Sequence, residues 1–135
     1  MAMIDPTEMG LDESQEPYAV EGGEEHKVRI VEVNEGTDKN GLAYLMPRLE
    51  IVGEPYAKDF THFLHIPDKG SMDEKKLNRV RFSYRSFCQA FGIDTSRPHD
   101  PKDEWPGHEG FAILGLAENE QYGEQNFIKK LITPA

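Results

Sequence analysis

Five cations, Lys27, Arg29, Lys39, Arg48 and Lys58, are interleaved in this chain with the aromatic residues Tyr44, Phe63 and Tyr122. Cations spaced along a surface neutralise phosphates. Aromatic rings offer flat faces to unpaired bases, and each stacked base contributes about 1–3 kcal/mol. Together they are the chemistry of sequence-tolerant binding to a single nucleic-acid strand. It works only if the side chains leave the fold on one face, so the elements that carry them decide the matter. The plainer reading is that Tyr44 and Phe63 are ordinary sheet aromatics half covered by loops, that Tyr122 closes a hairpin, and that the charges are solvated.

Other reactive residue types point to less. His62 and His65 are three apart, so on a strand they face opposite sides and cannot share an ion. His99 and His108 have no cysteine partners, and Cys88 is the only cysteine. An internal disulfide and a cysteine zinc knuckle are excluded, and an intracellular location, here the cytoplasm, is expected. Cys88 sits beside an apolar stripe and reads as a buried structural thiol. No glycine-rich phosphate loop, nucleophile elbow or carboxylate pair stands out, so catalysis, a metal and a cofactor are not expected.

Period-2 alternation places the first strand at residues 26–33, with the doublet Ile30-Val31 implying a bulge. Asn40-Gly41 marks a turn before a second strand at 42–52. There Leu45, Leu49 and Ile51 point in, while Tyr44, Met46 and Arg48 point out. Pro47 cannot donate a ladder bond and calls for an edge or a bulge. A third strand at 58–66 turns Phe60, Leu64 and Ile66 inward and Thr61, Phe63 and His65 outward. The period then changes. Leu77, Val80, Tyr84, Phe87 and Phe91 form one stripe of a helix over 72–91, with Ser71 and Glu74 as a capping box and Gly92 as the stop. Its Lys75, Lys76, Arg79, Arg81 and Arg85 read as a solvated face, or as an extension of a strand's path or a dock for an acidic segment. Residues 92–108 hold Pro98, Pro101 and Pro106 and form a long connection in which Trp105 caps the core. Strands at 109–118 and 125–133 complete the chain, joined by a turn that carries Tyr122.

The 135 residues suit one domain, and the net charge of −10 excludes a wholly basic coat. The charge is unevenly placed. Residues 1–25 hold eight acids and no Lys or Arg, while the remainder is near neutral. Residues 1–23 therefore read as a loosely attached or disordered acidic tail, and 24–135 as the folded domain. The longest apolar run is far too short to cross a bilayer, and a signal peptide is not expected.

The order β-β-β-α-β-β, mainly β with one helix, is that of the five-stranded OB-fold Greek-key barrel. Lys39-Asn40-Gly41-Leu42-Ala43-Tyr44-Leu45-Met46-Pro47-Arg48-Leu49-Glu50-Ile51 resembles the loop and second strand of phage- and prophage-encoded OB-fold single-stranded-DNA-binding proteins. Residues 18–33 and 53–64 are similar to the neighbouring strands. Phe87-Cys88-Gln89-Ala90-Phe91-Gly92 resembles the end of the family's helix, and Tyr122-Gly123-Glu124-Gln125-Asn126 its last hairpin. The resemblance spans most of residues 18–132. It implies a non-catalytic protein that coats or protects single-stranded DNA during replication or recombination, through Lys27, Arg29, Lys39, Tyr44, Met46, Arg48, Lys58, Phe63 and Tyr122. The chain ends Ile132-Thr133-Pro134-Ala135, without the acidic tip of bacterial single-strand binders. A replication or recombination partner would instead meet the acidic N-terminal segment. The oligomeric state is left open, an oligomer included. The rival expectation is an OB-fold module that binds protein and no nucleic acid, which the net negative charge favours.

Overall fold

The computed structural model describes residues 3–134. Strands β1 (Glu25–Thr37), β2 (Ala43–Ile51), β3 (Phe60–Thr61) and β4 (Leu64–His65) precede a helix α1 (Glu74–Ala90). A short helix α2 (Pro101–Glu104) and strands β5 (Glu109–Asn119) and β6 (Gly123–Ile132) follow. The strands form one open antiparallel sheet in the order β3-β2-β1-β5-β6, with β4 also on β2. The architecture is mainly β with one main helix.

β1 is long because it serves two partners, β5 from Glu25 to Arg29 and β2 from Val28 to Thr37. Val28, Ile30 and Val33 are all buried, yet they are spaced two and then three residues apart. A register shift between Ile30 and Glu32 takes up the extra residue, Val31. This is the bulge that the apolar doublet implied, and it keeps one face apolar along a bent strand.

The third strand is divided, and Pro47 explains why. Leu49 pairs with Phe60 and Leu45 with Leu64, so the register is the same on both sides of the gap. Between them His62 N–H donates to the Pro47 carbonyl at 2.9 Å. Pro47 has no N–H to return, so the ladder lapses there. Pro47 lies inside the sheet, not at an edge or bulge as expected, because its nitrogen faces this one-bond gap. Phe60 and Leu64 are buried and Phe63 is exposed, as the alternation predicted.

α1 lays Leu77, Val80 and Phe87 into the interior, and Phe91 follows at its end. Its N-cap corrects the sequence reading. Asp73, not Ser71, accepts from the Lys76 N–H at 2.8 Å, while the Ser71 hydroxyl donates to Asp68. At the far end Gly92 takes φ 64°. Ile93 N–H reaches the Cys88 carbonyl and Gly92 N–H reaches that of Gln89, a complete Schellman stop. The connection after α1 returns Trp105 to the core, where it is fully buried, stacks on Phe87 at 5.4 Å and donates to His99 Nε2 at 3.0 Å.

The N-terminal segment divides near Tyr18. Residues 3–18 are exposed. Tyr18 then bridges Ala57, and Val20 is buried and exchanges two hydrogen bonds of 2.9 Å with the Asn126 side chain. Asn126 also donates to the Gly115 carbonyl at 3.0 Å. One buried amide thus ties residues 18–20 across the β5–β6 hairpin.

Candidate nucleic-acid interface

Tyr44 and Phe63 come together on the outer side of the sheet. Their ring centroids are 4.6 Å apart, and His65 meets Phe63 edge-on at 4.7 Å. Strand pairing explains the meeting, since Tyr44 is opposite His65 in the β2–β4 register. On its other side Tyr44 is opposite Gly36, where an added Cβ would stand 2.6 Å from the tyrosine oxygen. Gly36 is therefore the space into which Tyr44 folds. His65 Nε2 lies 3.1 Å from Asp38. The Leu42 N–H, followed by His65, holds the Asp38 carboxyl below its ordinary range. Met46 shares the outward parity and is half-buried.

The expected cations of β1 and β2 also point outward, but each faces a carboxylate. Arg29 bonds Glu50 at 2.7 Å and Glu109 at 2.6 Å, and Lys27 reaches Glu109 at 3.2 Å. Arg48 pairs with Glu32 at 2.9 Å and lies 3.4 Å from Asp59. Arg29, and after it Lys27, hold the Glu109 carboxyl below its usual range, and Glu109 raises Arg29 in return. Three cations and four acids make this patch slightly negative.

Lys58 and Tyr122 sit elsewhere. The Lys58 ammonium donates to the Tyr122 and Glu124 carbonyls at 3.2 and 3.0 Å, which fastens the β5–β6 turn beside Pro17 and Tyr18. Lys39 is exposed in the loop between β1 and β2. The nine expected residues thus fall into an aromatic pair with Met46 nearby, a neutralised patch, a turn clasp and a lone loop lysine.

Free positive charge lies instead on α1. A groove of about 330 Å³ runs between β4 and the helix, lined by Phe63, His65, Lys76, Arg79, Val80 and Ser83 with no acid among its walls. Among the described residues, Lys76 and Arg79 form no ion pair. The aromatic pair and these two bases come from opposite halves of the chain, and the turn from Ile66 to Asp73 brings them side by side. On β5 and β6 two outward aromatics were not among the expected site residues. Phe111 and Phe127 are both roughly half-exposed on β5 and β6. The signal for Phe127 was Gly115, its cross-strand partner, where any Cβ would strike the ring.

The inner parity of the third strand carries His62, stacked on Phe87 at 5.4 Å with the planes 5° apart. Burial pushes its pKa down to about 4, so the imidazole is neutral at ordinary pH. Burial likewise pushes the Cys88 thiol up to about 11, which leaves it a packing group. In comparison with known proteins, no family model matches this chain, and no curated protein matches it. Among the described residues, no helix is long and apolar enough to cross a membrane.

Proposed function

We propose that this chain is a non-catalytic OB-fold protein that binds single-stranded DNA, of the kind phages and prophages use to coat DNA during replication or recombination in the bacterial cytoplasm. The observation that carries it is the outward Tyr44–Phe63–His65 cluster, whose exposed Phe63 and half-buried His65 border a groove where Lys76 and Arg79 form no ion pair among the described residues. Bases stack on the rings, and phosphates meet the two bases. The OB-fold reading is supported by β1 pairing on both edges, by β3 lying against β6, and by a helix between the third and fourth strands of the barrel order. The exposed acidic residues Asp5, Glu8, Asp12, Glu13 and Glu16 are free to meet a basic replication or recombination partner.

The test is fluorescence anisotropy of a labelled oligothymidine of about 30 nucleotides, at low and high salt, with duplex as control. Saturable single-strand binding with a steep salt slope and weak duplex binding is expected. Absence of single-strand binding, both by the full chain and after removal of residues 3–17, overturns the reading in favour of an OB-fold module that binds protein.

A further inference from the structure

A second groove continues the first. It has a volume of about 400 Å³ and lies between α1 and β6, lined among others by His62, Phe82, Ser86, Lys129 and Lys130. Ser83 belongs to the walls of both grooves, so the two form one track beside the third strand. Among the described residues, no carboxylate lines either part. Lys129 and Lys130, like Lys76 and Arg79, form no ion pair among the described residues. β6 brings its two lysines to the track because its register against β5 shifts there. Ile128 pairs with Leu114 and Lys130 with Ile113, leaving Lys129 as an extra residue at a bulge. The new section has its own ring, since Phe82 is 61% exposed with the Arg85 guanidinium 5.9 Å from its centroid.

We propose that single-stranded DNA leaves the Tyr44–Phe63 cluster along α1 and crosses to β6, with phosphates on Lys129 and Lys130 and a base against Phe82. This rests on the single-strand reading and names the path that reading leaves open. The alternative path over β1 and β2 meets cations already held by Glu32, Glu50 and Glu109. Charge favours a polyanion in the track, and hydroxyls at Ser83 and Ser86 offer donors to phosphate oxygens between the two pairs of bases.

The experiment compares the full chain with Lys129→Ala/Lys130→Ala and with Phe82→Ala, each on oligothymidines of about 8 and about 30 nucleotides. Thermal melting of each variant checks the fold. For the longer strand the double variant should bind about tenfold more weakly, and its salt slope should flatten by about 1.4, two phosphate contacts' worth. The short strand, held at the aromatic cluster, should be affected less than about twofold. Phe82→Ala should weaken the longer strand alone and leave the salt slope unchanged. Unchanged binding of the longer strand, while Phe63→Ala still loses affinity, overturns the path and leaves the single-strand reading standing. Tighter binding by the double variant also overturns it, and assigns the track to the acidic residues 3–17. Failure to bind either length, both by the native chain and after removal of residues 3–17, overturns both.

Discussion

Across β1 and β2, Lys27, Arg29 and Arg48 stand opposite Glu32, Glu50, Asp59 and Glu109. Between α1 and the sheet, Lys76, Arg79, Lys129 and Lys130 line a track without a carboxylate among the described residues. The two regions carry similar positive charge and offer it differently. A guanidinium held at 2.6–2.9 Å by a glutamate has little left for a phosphate. A free ammonium can neutralise a phosphate and release the counterion condensed on the strand, and that release drives association. What distinguishes a phosphate site from a sheet surface is therefore the partner of each cation, not the number of cations. Strand pairing sets those partners: Arg29 lies opposite Glu50 and Glu109, and Arg48 opposite Glu32.

The largest expected effect concerns the wall between the regions. His62 is packed on Phe87 beneath the track, and its pKa in the fold is about 4 against an ordinary 6.5. The unfolded chain therefore binds this proton more readily. Stability is full above pH 6.5 and is lost as the pH falls towards 4, by about 3 kcal/mol at the lower end. His62→Phe should keep the stacking and remove that part of the acid limb, as read by urea melts at pH 7 and pH 4.5. An identical pH dependence in the variant would mean that His62 is solvated and that the track reaches down to its ring.

Next is Phe63→Ala. The ring is 48% exposed, so the fold should tolerate its removal, while single-strand affinity falls by about 1–3 kcal/mol. Phe111→Ala is the matched control, since that ring is 45% exposed beside Lys27. If Phe111→Ala costs more affinity than Phe63→Ala, the strand lies over β5 and the comparison between the regions is reversed.

Gly36→Ala reaches the aromatic cluster without touching a charge. The new Cβ would stand 2.6 Å from the Tyr44 oxygen and 2.7 Å from Cζ, so the ring must move. Overpacking of this kind costs about 1–3 kcal/mol. In a Tyr44→Ala background most of that cost should vanish, a coupling that denaturant titration of the four proteins measures. Additive effects would show that Tyr44 turns away without strain.

Much of this arrangement was legible in the residues. The doublet Ile30-Val31 marks the bulge, and Leu45, Leu49 and Ile51 against Tyr44, Met46 and Arg48 mark the two faces of β2. The helix stripe ending at Gly92 was equally plain. Local pattern, however, carries no information about which strand lies alongside. Glu109 closes on Arg29 from eighty residues away, and Lys58 is drawn to the β5–β6 turn. The turn from Ile66 to Asp73, which carries no period of its own, brings Lys76 and Arg79 to Phe63. Parity correctly placed Arg48 on the outside, but only the register could show that Glu32 was waiting there. Pro47 illustrates the converse, because an interior proline is allowed once the opposite strand happens to lapse at His62.

The smallest expected effect is the most direct test of the comparison. Arg48 has a side chain 40% exposed, and its pair with Glu32 is worth about 0–1 kcal/mol to the fold. Arg48→Ala leaves Glu32 and Asp59 uncompensated, so the patch gains negative charge and a passing strand is repelled weakly. Arg48→Ala/Glu32→Ala removes both signs together and should restore native affinity and salt slope to within about twofold. Arg79→Ala, by contrast, should flatten the slope by about 0.7, because it removes a cation that no acid neutralises. The titrations are run side by side over one salt series. If the Arg48/Glu32 pair deletion flattens the slope as much as Arg79→Ala does, then Arg48 exchanges its glutamate for a phosphate on binding. The ion pairs of β1 and β2 would then be a resting state of the interface, and the strand would run over the sheet.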